Sequence, residues 1–71
     1  MNDKRKGEVI LIDIEQGYGI IVDENGQDIL FLLSHTSRHM NINSKVIFEI
    51  VLSSKGLTAV DVELEIEMAR G

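Results

Sequence analysis

Residues 16–33 read QGYGIIVDENGQDILFLL: two apolar runs joined by the polar tetrapeptide DENG. Asn25-Gly26 between such runs is the strongest short-range hairpin signal. The segments 18–23 and 28–33 are therefore predicted to pair as antiparallel strands. Their aliphatic content exceeds what one buried face requires. Ile20, Ile21 and Val22 are consecutive, as are Ile29, Leu30, Phe31, Leu32 and Leu33, so both faces of the hairpin are apolar where a half-buried strand has one. What covers the second face is the question this chain poses.

Outward from the hairpin, residues 8–14 (EVILIDI) predict a first strand. Strict alternation places Val9, Leu11 and Asp13 on one side and Ile10, Ile12 and Ile14 on the other. Gln16-Gly17 marks the turn into the second strand. Residues 34–43 (SHTSRHMNIN) lose the apolar pattern and read as a polar loop, with room for one helical turn capped by Ser34 or Thr36. KVIFEIVL, residues 45–52, is a fourth strand, and Ser53-Ser54-Lys55-Gly56 a turn. In VDVELEIEM, residues 60–68, apolar and acidic residues alternate, a period of two that a helix would not keep. Five short strands with regular turn signals predict an all-β fold. The expectation is one domain over residues 1–71, a five-stranded antiparallel Greek-key barrel of the OB-fold type, whose closure hides strand edges in a short chain.

Composition narrows the function classes. The chain has 71 residues and no cysteine, so neither disulfides nor a thiolate metal site stabilises it. Nothing approaches the length of a membrane span, and residues 1–6 lead straight into a strand rather than a signal-peptide core, so a soluble, cytoplasmic protein without a membrane partner is expected. Seven basic against twelve acidic residues give a net charge of −5, the opposite of the basic footprint usual for phosphate binding. The distribution is uneven. Lys4, Arg5 and Lys6 cluster at one end, and Asp61, Glu63, Glu65 and Glu67 near the other.

At this point five ordered segments resemble a cold-shock domain. Lys6-Gly7-Glu8-Val9 is similar to the family's Lys-Gly-x-Val opening, and Gly17-Tyr18-Gly19-Ile20-Ile21 to its first ribonucleoprotein motif. Residues 28–34 (DILFLLS) resemble its second, and residues 46–50 (VIFEI) and 55–62 (KGLTAVDV) its closing segments. The resemblance spans about residues 6–62. It implies single-stranded RNA or DNA as partner, held by bases stacking on an outward platform. Carried over by position, that platform is Tyr18, Ile20, Leu30, Leu32 and Leu33, with Ile10 and Leu11 replacing the family's strand-one Lys and Trp. One ring survives.

Two functions follow. In the first, Tyr18 stacks a base between glycines that keep its face open, and Lys4, Arg5, Lys6, Arg38 and Lys45 contact phosphates, giving weak binding of low sequence selectivity. In the second, Ile10, Ile20, Leu30 and Leu32 form an exposed aliphatic patch for another protein or a second copy, with nucleic-acid binding reduced or lost. The same register sends Val9, Ile21, Ile29, Phe31, Val46, Phe48 and Ile50 inward. His35 and His39 have metal-compatible spacing, but no third ligand accompanies them, and solvated loop histidines are the expectation. The acidic series reads as a solvated outer face. No catalytic constellation is present and no cofactor or metal is expected.

Overall fold

The computed structural model describes residues 4–35 and 40–65. Five strands form: β1 (Arg5–Asp13), β2 (Tyr18–Asp23), β3 (Asp28–Leu32), β4 (Lys45–Ser53) and β5 (Gly56–Leu64), with a 3₁₀ turn at Leu33–His35 after β3. They close into a barrel in the order β1-β2-β3-β5-β4. No helix among the described residues is long and apolar enough to cross a membrane.

The all-antiparallel expectation is corrected at one joint. β3 and β5 run parallel, paired at Leu30↔Thr58 and Phe31↔Ala59, while the other four joints are antiparallel. A closed ring with an odd number of strands cannot alternate direction all the way round, so one parallel joint is unavoidable.

Every residue of the expected inward set is buried except Ile50, which is half-buried against the core. Met40, Ala59 and Val62 complete that core. Met40 comes from the segment read as a polar loop, where it is the apolar side chain that packs on the barrel interior.

Strict alternation fails in two strands, each time at a bulge, where an extra residue resets the faces. In β1 the register steps from Val9↔Ile21 to Leu11↔Ile20. Val9 is therefore inside, Ile10 and Leu11 are both exposed, and Ile12 turns back onto the core. Ile14 lies beyond the strand in the following turn. The kink comes where β1 leaves β4, whose pairing with β1 ends at Glu8↔Lys45. Beyond it, Val9 N–H donates to Ser44 O at 3.0 Å and Asn43 N–H donates to Val9 O at 2.7 Å. In β5 the register steps between Ile47↔Glu63 and Glu49↔Val60, with Asp61 at φ +53°. Val60 is consequently turned off the face of Val62 and Leu64, against the simple alternation. β5 also starts earlier than expected, at Gly56, and Ile66, Glu67 and Met68 lie outside the described residues.

The β2–β3 hairpin is regular. Asp23 N–H donates to Gln27 O at 2.9 Å, closing a three-residue loop in which Gly26 takes φ +82°. The Asp23 carboxylate is buried, and its Oδ1 accepts the N–H groups of Asn25 and Gln27, both at 2.9 Å. Such side-chain capping of the turn fixes the register of β2 against β3.

Candidate nucleic-acid interface

β2 and β3 pair without irregularity, so their outward side chains meet in rows: Tyr18↔Leu32, Ile20↔Leu30 and Val22↔Asp28. The inward rows are Gly19↔Phe31 and Ile21↔Ile29. A Cβ at Gly19 would sit 2.6 Å from the Phe31 ring and 2.6 Å from Leu11 O. Gly19 thus makes room for the Phe31 ring inside the barrel, and Gly17, at φ +79°, makes the turn before β2.

The outer apolar surface extends beyond the hairpin. Leu11 pairs with Ile20, Ile20 with Leu30, Leu30 with Thr58, and Thr58 with Val51. These directly paired positions make a belt across all five strands. Ile20, Leu30 and Leu32 are half-buried, whereas Ile10, Leu11 and Val51 are exposed. The second apolar face is therefore covered in part by its own neighbours, strand against strand.

Two open depressions flank the ridge of Leu30 and Leu32. One is walled by Tyr18, Gln16, Leu30, Leu32 and Lys55. The other lies over β4 and β5, between Leu30, Leu32, Val51, Thr58 and Val60, with Lys55 shared. Lys55 was not among the site residues expected from sequence, because only the parallel β3–β5 joint brings the β4–β5 turn beside Tyr18.

The other expected cations are arranged differently. Lys4 Nζ stands 3.8 Å from Glu49, Lys6 Nζ 3.0 Å from Glu65, and Lys45 Nζ 3.5 Å from Glu8. Lys6 lies seven residues along β1 from Asp13, the partner of Tyr18, a run of roughly 23 Å in an extended strand. Lys4 and Lys6 are thus engaged with carboxylates at the far end of β1. Arg5 is exposed on β1, opposite Phe48. Arg38 and His39 lie outside the described residues. Leu33 leaves the platform: it starts the 3₁₀ turn, donates its N–H to Gly17 O at 2.9 Å, and packs its side chain on the core. Ser34 is accordingly within that turn rather than its cap, and Thr36 is outside the described residues.

Carboxylates border the platform. Asp13 pairs with Tyr18 across β1 and β2, its Oδ1 accepting the Gln16 N–H at 3.0 Å. Glu8 and Asp28 flank Val22 from either side. Among the described residues no three His, Asp or Glu side chains gather as a metal would need.

No protein-family model and no curated protein matches the chain. Among solved structures it is similar to drosophila Unr CSD456, a cold-shock fold, with TM-score 0.77 and 18% identity, over 96% of this chain and 29% of that one. The chain thus spans less than a third of that structure. At this identity the similarity establishes the fold, a closed five-stranded barrel of cold-shock OB type.

Proposed function

We propose that this protein is a non-catalytic, cytoplasmic module for single-stranded RNA or DNA, binding weakly and with little sequence selectivity through the Tyr18 side of the β2–β3 face. The observation that carries the reading is the depression walled by Tyr18, Leu30, Leu32, Gln16 and Lys55: one ring for stacking, aliphatic walls and one cation. The cold-shock fold of the barrel supports it.

Weakness follows from the chemistry of that depression. A stacked base contributes about 1–3 kcal/mol per ring, and one ring is available. Lys4, Lys6 and Lys45 are held by carboxylates, and Asp13 adjoins the ring, so few phosphates can be neutralised. Leu30 and Leu32 supply contact without hydrogen-bond readout, which leaves base identity poorly distinguished.

The test is a fluorescence-anisotropy titration of labelled single-stranded RNA and DNA at low and then higher salt. Saturable binding is expected, with a slope of log K against log salt of about −0.7, the contribution of one neutralised phosphate on a single strand. No binding at high protein concentration would overturn the proposal.

A further inference from the structure

The second depression has features the nucleic-acid reading does not use. Outward positions of the β4–β5 ladder run, from one end to the other, Ile47 beside Glu63, Glu49 beside Val60, Val51 beside Thr58, and Ser53 beside Gly56, with Lys55 in the turn beyond. At the Ile47–Glu63 end Glu49 and Glu65 are paired with Lys4 and Lys6, so the net charge of that end comes from Asp61 and Glu63 and is opposite in sign to Lys55 at the other end. Lys55 is at one end, exposed Asp61 and Glu63 are at the other, and Val51, Val60 and the Leu30–Leu32 ridge lie between. Val51, Leu52 and Leu57 are exposed aliphatics on the same hairpin, Leu52 at 80%. None of Lys55, Asp61 and Glu63 makes an ion pair among the described residues.

We propose that this face is a self-association surface whose occupant is a second copy of the chain, docked about a twofold axis. A cation, an apolar centre and an acidic end in line form a pattern complementary to its own reversed image. Lys55 lies in the turn beyond Ser53–Gly56 and Glu63 beside Ile47, with the Val51–Thr58 and Glu49–Val60 pairs between them. An axis through the outward Thr58–Val60 stretch sets Lys55 of each copy against the acidic end of the other, with the Val51 and Val60 side chains of both copies between. Twofold pairing uses one patch twice, which is how a single self-complementary face closes into a dimer. Charge complementarity sets the register, and burial of the aliphatic centre drives association.

This proposal rests on the Val51, Val60 and Glu63 side of the face and shares only Lys55, Leu30 and Leu32 with the nucleic-acid reading, and one charge-swap experiment tests it. Sedimentation velocity at low salt, over roughly a hundredfold range of concentration, should show a reversible monomer–dimer equilibrium. Lys55→Glu and Glu63→Lys should each weaken the dimer roughly tenfold or more, because twofold symmetry repeats each repulsion. Mixing the two variants in equal amounts should restore dimerisation, since both contacts in the mixed pair are again opposite in sign. Val51→Asp, at an exposed position, should abolish it without loss of fold by circular dichroism. A wild-type monomer at every concentration, a dimer indifferent to both reversals, or a mixture as weak as the single variants would each overturn the proposal. Tyr18→Ala leaves this surface intact and should not change the dimer constant, so failure of either reading is seen separately.

Discussion

Gly19 and Tyr18 are neighbours in sequence and point to opposite faces of the same strand. At Gly19 any Cβ meets the Phe31 ring and Leu11 O within 2.6 Å, a clash that neither strand can relieve without disturbing the barrel. Gly19→Ala is expected to destabilise the fold by about 1–3 kcal/mol or more, read from urea denaturation. Tyr18→Ala should leave that curve nearly unchanged and weaken oligonucleotide binding by about 1–3 kcal/mol. Lys55→Ala should also weaken binding, whereas Lys6→Ala, removing a cation held by Glu65 at 3.0 Å, should alter affinity by less than about twofold. Equal losses from both lysine variants would argue against the assigned depression. Tyr18 as the surviving ring was legible in the sequence. The engagement of Lys4, Lys6 and Lys45 was not, because Lys4 and Lys6 meet carboxylates far along the chain, on or just beyond β4 and β5, which strand pairing brings beside β1.

At the level of the strand, the alternating pattern gave the correct faces where pairing is regular and misassigned them where a bulge adds a residue. β2 and β3 pair one to one, and the faces the cold-shock resemblance implied for them hold up to Leu32, while Leu33 turns onto the core. β1 and β5 each carry a bulge, so Ile10 and Leu11 came out on the same exposed surface and Val60 parted from Val62. Nothing in an apolar run such as VILI marks which residue will be the extra one. The β5 bulge has a local test. Asp61 is held at φ +53°, a conformation that costs most residues roughly 1–2 kcal/mol and a glycine almost nothing. Asp61→Gly should raise stability by up to about 1 kcal/mol and Asp61→Val lower it by about 1–2 kcal/mol in the same denaturation assay. The opposite order would mean that the Asp61 side chain, rather than the backbone, sets the bulge.

Across the whole molecule, the resemblance carried by five short motifs and the number of strands were enough for a closed barrel, and the parity of five strands required one parallel joint that an all-antiparallel reading overlooked. The joint also explains why Lys55 was missed: it brings the far hairpin next to the β2–β3 face. That joint has only two paired positions, Leu30↔Thr58 and Phe31↔Ala59, against six between β1 and β2 and seven between β4 and β5. The ring is thus a band fastened at its narrowest point. Opening there exposes little backbone and leaves both long hairpins intact, so it should be among the least costly excursions from the native state. In deuterated solvent, amides at the β3–β5 joint should acquire label well before those inside the β1–β2 and β4–β5 ladders. The clasp, rather than the chain ends, would then set the rate at which the barrel breathes.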